Sequence, residues 1–192
     1  MPEPSTRKDA VRNRKAVLAA ADALFDRSGN PEEVTMADVA AAAGVGKGTL
    51  FRAFGDRNGL LLALYEHRIE PIRQTVQAGP PPLGPDTPAR ERVPALLDAL
   101  LRFKLDNRRL ALALEETGST SPYLAAHYED WHSLLRSALE QIPGLTDNSE
   151  FTAHVLLAAI RADLVEYLAG HKGVPREEMH AQLARFTAGV LR

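Results

Sequence analysis

The stretch TMADVAAAAGVGKGTLFRAF, residues 35–54, contains two short apolar patterns at helical spacing, one on each side of Gly44. The apolar residues of the two patterns are Met36, Val39, Ala40 and Ala43, then Leu50, Ala53 and Phe54. Gly44 stands where the chain must turn sharply, a place that favours positive φ and therefore glycine. This arrangement predicts a helix-turn-helix, whose second helix lies in the major groove of DNA.

The ends of the two helices are also marked in the sequence. Thr35 followed by Asp38 is close to a capping box, with the shorter acid in place of glutamate. The second helix is predicted over residues 47–54. Gly46 and Gly48 at its start carry no bulky side chain, so the unpaired N–H groups there can approach phosphates and base edges.

The polar side chains of the second helix are predicted to point away from the core. Lys47, Thr49 and Arg52 would supply charge and hydrogen bonds to DNA, whereas Leu50 and Phe54 would anchor the helix inside. The alternative is a purely structural helical bundle with a solvated basic face, because alanine-rich helix-turn-helix geometry also occurs there.

Helical patterns run along nearly the whole chain, and no alternating strand pattern is convincing. Helices are predicted at about 7–26, 35–44, 47–54, 58–77, 93–105, 107–117, 122–142, 148–170 and 175–191. The proline-rich stretch 78–88 interrupts them. The predicted fold is all-α, with a three-helix helix-turn-helix DNA-binding domain over residues 1–57 and a larger helical regulatory and dimerisation domain over residues 58–192.

Composition and charge restrict the function further. The 192 residues include no cysteine, which excludes disulfides and thiolate zinc sites. The net charge of -2 argues by itself against nucleic-acid binding, but residues 1–57 hold nine Lys/Arg against eight Asp/Glu. The sequence shows no secretion signal and no run as long as a membrane span, so we expect a cytoplasmic protein with no membrane partner.

Two stretches together resemble the TetR family of bacterial transcriptional regulators. They are VLAAADALFDRSG, residues 17–29, and VTMADVAAAAGVGKGTLFRAFGDRNGLL, residues 34–61. The resemblance implies a homodimer whose two recognition helices enter successive major grooves of double-stranded operator DNA. It assigns DNA contacts to Thr35, Lys47, Gly48, Thr49, Phe51, Arg52 and Arg57. Phe51 and Ala53 stand where the family commonly has tyrosine and histidine, so two groups that usually reach phosphates are missing.

The resemblance also implies a small-molecule effector bound by the second domain. Tyr123, His127 and Trp131 follow one another at intervals of four residues, and aromatic rings with polar tips make good pocket walls. The predicted ligand-binding residues are Arg102, Glu115, Tyr123, His127, Trp131 and Asp163. The alternative to a ligand pocket is that the aromatic residues belong to the ordinary core and that the charged residues are solvated. The fourth helix is predicted to couple the pocket to the recognition helix.

The dimer interface is predicted in the last two helices. Apolar residues cover more than one face of the segment 148–170, so that segment must be covered on two sides. We read it and the last helix as half of an intermolecular four-helix bundle. The predicted interface residues are Val155, Ala159, Ala162, Leu183, Phe186 and Val190. Burial of both helices within a monomer is the alternative.

Two other classes of function are weighed against a regulator. An enzyme is the weaker of these two alternatives. The nearest approach to a catalytic or metal cluster is given by two pairs, His127 with Asp130 and Glu115 with Glu116. Neither pair has a recognised ligand spacing. We therefore expect no catalysis, no metal and no cofactor. A helical interaction protein that no longer binds DNA is the other. The prediction is a ligand-responsive regulator, a repressor that a small molecule releases from its operator.

Overall fold

The computed structural model describes residues 4–28, 33–116 and 126–192, without the side chains of residues 4–7, 116 and 126. Its helices are α1 Pro4–Ser28, α2 Met36–Ala42, α3 Lys47–Phe54, α4 Arg57–Ala78, α5 Ala89–Asp106, α6 Arg108–Glu116, α7 Ala126–Leu139, α8 Ser149–Ala158, α9 Ala162–Glu166 and α10 Arg176–Val190. A 3-10 turn, Thr146–Asn148, precedes α8, and a π-helical turn, Tyr167–His171, follows α9. The described residues form no strand, and the predicted all-α fold is confirmed.

The chain divides into two compact units, Met1–Ile69 and Glu70–Arg192. The division falls inside α4, next to Pro71, whose ring nitrogen cannot donate the hydrogen bond that a helix interior normally makes. The functional boundary after residue 57 stays a prediction. Among the described helices, none combines the length and the apolar character that crossing a membrane requires.

The first unit is built from α1, α2, α3 and the beginning of α4. Helix α1 packs against both α2 and α3, and the fully buried side chains include Ala21, Val39, Leu50, Leu61, Leu64 and Ile69. Arg68 of α4 ties this helix to α1, because its guanidinium lies 2.6 Å from carboxylate oxygens of both Asp22 and Asp26. The three helices around α3 therefore form a rigid support for it.

The second unit has its own core. Helix α5 packs against α7 and α10, α6 packs against α9, and α7 packs against α8. The fully buried leucines of this core are Leu97, Leu135, Leu139 and Leu156. The loop between α4 and α5 coincides with the proline-rich stretch, as the sequence predicts.

The prediction of one helix over residues 148–170 is wrong. Helix α8 ends at Ala158, and Arg161 has extended backbone (φ −60°, ψ 146°) before α9 begins at Ala162. The carboxylate of Glu115, on α6, accepts the backbone N–H of Ala162 at 3.0 and 3.1 Å and so caps α9. The apolar pattern continues through this break, and a cap supplied from a distant helix leaves no local signal in the sequence.

Candidate nucleic-acid interface

The first helix of the motif is fixed by its N-terminal cap. The backbone N–H of Asp38 donates to the Thr35 hydroxyl at 3.2 Å, and the Thr35 N–H donates to the Asp38 carboxylate at 3.0 Å. The predicted capping box is therefore confirmed. The Thr35 hydroxyl also donates to the same carboxylate at 2.6 Å, and these bonds hold the pKa of Asp38 below its usual value.

The turn between the two helices needs a glycine. Gly44 has φ +64°, and Val45 after it donates its N–H to the carbonyl of Ala40 at 3.0 Å. Helix α3 then covers Lys47–Phe54, the range that the sequence predicts. No side chain caps its first turn, so the N–H groups there are available to an anion.

The two faces of α3 differ in burial. Leu50 and Phe54 are buried in the core of the first unit, at 0% and 7% exposure. Lys47 and Arg52 lie on the exposed face with Phe51, and within the part of the chain that the structure describes neither cation has an ion-pair partner. The exposed face of α3 therefore offers two available cations beside an aromatic ring that is 48% exposed.

Arg14, on α1, holds the C-terminal end of α3. Its guanidinium donates to the carbonyl of Ala53 at 3.1 Å and lies 4.6 Å from the centre of the Phe54 ring. A cation is stabilising at a helix C-terminus, where carbonyls lack partners. Arg14 thus positions α3. The sequence alone does not predict this role, because Arg14 and Ala53 are 39 residues apart in the chain.

The start of α4 is joined closely to the end of α3. The carboxylate of Asp56 accepts the N–H of Gly59 at 2.8 Å and caps α4. A Cβ atom at Gly59 would lie 2.0 Å from the carbonyl oxygen of Phe54, closer than any packed atom tolerates. Only glycine allows this close approach. The start of α4 therefore packs directly on the C-terminal end of α3 and fixes the angle between the two helices.

The residues predicted to contact DNA lie at different levels of exposure. Two of them, Thr49 and Arg57, are half-buried. The other five are exposed, namely Thr35, Lys47, Gly48, Phe51 and Arg52. The hydroxyl proton of Thr35 is used in the cap of α2, so this side chain would have to give up an internal bond to donate to a phosphate. The contacts themselves stay predictions.

One predicted ligand residue lines a cavity in the second unit. Trp131 is 7% exposed, and its indole N–H is buried with no hydrogen-bond partner among the described residues. The cavity has a volume of about 280 Å³ and is lined by Arg73, Val76, Gln77, Asp130, Trp131, Ser133 and Leu134. Trp131 is therefore the predicted ligand residue that lines this cavity, and a buried donor without a partner calls for an explanation.

The structure does not bring the other predicted ligand residues to this cavity. Arg102 is exposed, pairs with Asp98 at 3.0 Å and borders a separate cavity of about 370 Å³. Glu115 and Asp163 are joined through Arg161, at 3.4 and 3.0 Å, and this contact lowers the pKa of Asp163. His127 is half-buried on α7, and Tyr123 lies outside the described residues.

The residues predicted for a dimer interface divide between surface and core. Val155 and Phe186 are exposed, at 36% and 42%, and Ala159 and Val190 are half-buried. Ala162 and Leu183 are buried within the chain itself, because α9 packs against α5 and α6 and α10 packs against α5. Three other large apolar side chains of the predicted segment 148–170, which the predicted interface set leaves out, are also exposed, namely Phe151, Leu164 and Tyr167.

The first unit matches a family model. Residues 17–64 fit the model described as bacterial regulatory proteins of the tetR family. The matched range runs from the core of α1 through the capping box, the turn and α3 into α4. This unit is a DNA-binding domain of the TetR type.

Curated relatives extend the likeness along the chain. An HTH-type transcriptional regulator of Staphylococcus aureus (strain bovine RF122 / ET3-1) is 25% identical over 172 residues, which cover 89% of this chain and 90% of the relative. The family model and the relative together support a DNA-binding transcriptional regulator rather than an enzyme.

Solved structures show the same fold over the whole length. A TetR-like transcriptional regulator from Rhodococcus sp. RHA1 is 20% identical with a TM-score of 0.60, covering 97% of this chain and 96% of its own. A gamma-butyrolactone receptor (ArpA-like protein) is 24% identical with a TM-score of 0.52, covering 93% and 97%. TetR-family regulators bind operator DNA as homodimers and respond to small-molecule ligands.

Proposed function

We propose that the protein is a repressor that reads an operator with the exposed face of α3 and leaves it when a small molecule binds the second unit. The observation that carries the proposal is the division of α3, with Leu50 and Phe54 in the core and Lys47 and Arg52 exposed and unpaired among the described residues. A recognition helix needs this division, because one face must be held while the other reads the groove. We further propose that it works in the cytoplasm, where a bacterial operator lies.

Each exposed residue of α3 has a chemistry suited to DNA. Lys47, next to the uncapped N-terminus of the helix, is placed for a phosphate. Arg52 has the planar fork that binds the O6 and N7 atoms of guanine. Phe51 lacks the phenolic hydroxyl that would bind a phosphate, and its exposed ring is suited to the methyl group of thymine.

Replacing Lys47 by alanine should weaken binding to all DNA sequences alike, because a phosphate contact carries no sequence information. The slope of log K against log salt should fall by about 1 unit for each Lys47, which is about 2 units for the homodimer. The measurement is a mobility-shift titration at several salt concentrations against DNA that flanks its own gene. Lys172→Ala, an exposed lysine of the second unit, is the matched control and should change neither quantity. Unchanged affinity and slope in Lys47→Ala would contradict this docking.

The dimer interface is proposed at the exposed apolar residues of the second unit. Phe151 and Val155 are four residues apart on α8, and Phe186 and Val190 are four apart on α10. Large apolar side chains that a folded chain leaves in water mark an interaction surface. A second copy of the chain is the proposed partner, because two half-sites one helical turn apart need two recognition helices at a fixed separation.

The effector site is proposed at the Trp131 cavity, between α7 and the last turns of α4. The unpartnered indole N–H calls for a hydrogen-bond acceptor on the ligand, such as a carbonyl oxygen. Helix α4 contributes Arg57 to the first unit and Gln77 to the wall of this cavity, so α4 is the element proposed to couple the two functions. The ligand must bind the conformation that is released from DNA more tightly than the DNA-bound conformation, because equal affinity for both would not change their populations.

A γ-butyrolactone is a suitable probe, because its ester carbonyl is an acceptor and one structural neighbour is a receptor for such lactones. We expect it to change the emission of Trp131, the only tryptophan, in a saturable way and to weaken operator binding about 5- to 150-fold. Ser133→Phe, which fills the cavity, should abolish both effects, whereas Ser137→Phe, exposed on the same helix, should not. Unchanged Trp131 emission, or a response that survives Ser133→Phe, would place the effector elsewhere.

A further inference from the structure

Two histidines and a glutamate meet where α7 packs against α8. His132 comes from α7, and Glu150 and His154 are four residues apart on α8. One potential ligand atom from each residue lies within 4.8 Å of the other two. His132 and Glu150 are 18 residues apart, so the three residues match no metal-binding motif of fixed local spacing.

The three side chains lie side by side. The imidazole rings of His132 and His154 are stacked with centroids 3.9 Å apart. Each Nε2 atom lies 3.9 Å from the same Glu150 oxygen, Oε1. Two ligands of a tetrahedral zinc ion lie about 3.4 Å apart when the bonds are about 2.0–2.1 Å long. The half-exposed His154 and the exposed Glu150 must therefore rotate to bring the donor atoms to this spacing around one ion.

Neighbouring groups orient the ligands. The Tyr128 hydroxyl lies 2.6 Å from Nδ1 of His154, so that ring can donate from Nδ1 while Nε2 keeps its lone pair for a metal. Arg136 donates to the other Glu150 oxygen, Oε2, at 3.1 Å and leaves Oε1 facing the imidazoles. His132 is 3% exposed, and its Nε2 lies 3.1 Å from the Glu150 carbonyl oxygen, to which it can donate a hydrogen bond. A metal ion bound at this Nε2 would displace its proton and replace that hydrogen bond.

We propose that His132, Glu150 and His154 form a binding site for a divalent cation of the zinc class. Two imidazoles and one carboxylate are a donor set that zinc uses in sites with an open fourth position. Hard ions such as Mg²⁺ prefer six oxygen ligands and are not suited to this set. The ion would join α7 to α8 independently of the proposed effector cavity, which shares none of these three residues.

The test uses the full chain without an affinity tag, titrated with Zn²⁺ by calorimetry and with Co²⁺ by visible absorption. We expect one ion per chain, an intense Co²⁺ spectrum of the tetrahedral kind that Zn²⁺ abolishes, and no heat with Mg²⁺. His154→Gln and Glu150→Gln, both at solvent-accessible positions, should weaken binding at least about 10-fold and change the Co²⁺ spectrum. Tyr128→Phe should weaken binding by roughly 10-fold with the ligands retained.

His171→Gln is the matched control, because His171 is an exposed histidine of the same unit outside the cluster, and it should bind the ions as the wild type does. The proposal is overturned if the wild type gives neither Zn²⁺ heat nor Co²⁺ absorption. It is equally overturned if His154→Gln and Glu150→Gln bind both ions as tightly as the wild type.

Discussion

Gly59→Ala should lower the free energy of unfolding of the first unit by about 2 kcal/mol and remove most operator binding. The added Cβ would lie 2.0 Å from the backbone carbonyl oxygen of Phe54, and a backbone atom cannot rotate away as the tip of a side chain can. Helix α4 must therefore move away from the end of α3, and the cap that Asp56 provides at 2.8 Å must lengthen. Denaturant unfolding followed by helical circular dichroism, with a mobility shift on the same samples, measures both effects.

Gly48→Ala is the control that separates folding from DNA contact. A Cβ at Gly48 would meet nothing within 4 Å, and alanine is the better helix former. The free energy of unfolding should therefore rise by up to about 1 kcal/mol. Operator affinity should nevertheless fall, because the methyl group would stand between the start of α3 and the DNA. A Gly59→Ala protein as stable as the wild type would show that α4 does not position α3. A Gly48→Ala protein that binds normally would place the DNA elsewhere.

Phe186→Glu should convert the homodimer into monomers and weaken operator binding by about 100-fold or more, since the second half-site is then no longer tethered. Phe186 is 42% exposed in the single chain, so the substitution leaves the core of the second unit intact. In the proposed interface the glutamate would be buried opposite apolar groups without a partner, which is costly. Sedimentation velocity gives the oligomeric state, and a mobility shift gives the affinity.

Ala181→Glu adds the same charge to an exposed position on another face of α10 and should leave the dimer unchanged. Phe151→Glu, on α8, should act like Phe186→Glu if both helices contribute to one interface. If both phenylalanine variants remain dimeric, the proposed interface is wrong. Leu164 and Tyr167, the other large apolar side chains that the second unit exposes, would then be the next candidates.

The sequence predicts the helix-turn-helix well because its determinants are local. Thr35 and Asp38 are three residues apart, Gly44 occupies the turn, and the bounds of α3 follow from its apolar spacing and its flanking glycines. Each of these features acts within one turn of helix or one loop, so a single stretch of chain contains all the information needed.

The features that the sequence did not predict depend on distant contacts. Glu115 caps α9 across 47 residues, Arg14 reaches α3 across 39, and His132 meets the α8 residues of the metal cluster through the packing of α7 on α8. Each partner is an ordinary polar residue in its own local context. Only the tertiary packing shows which carboxylate caps a helix and which imidazoles lie side by side.

The division of α3 into a buried and an exposed face also affects how such regulators diverge. Leu50 and Phe54 contribute the packing, while Lys47, Phe51 and Arg52 contribute little to the stability of the fold. Exposed positions of this kind tolerate substitution within about 0.5 kcal/mol of folding free energy. On the proposed docking, a duplicated copy would acquire a new operator by changes at the base-reading positions Phe51 and Arg52, while the residues that hold the helix stay unaltered.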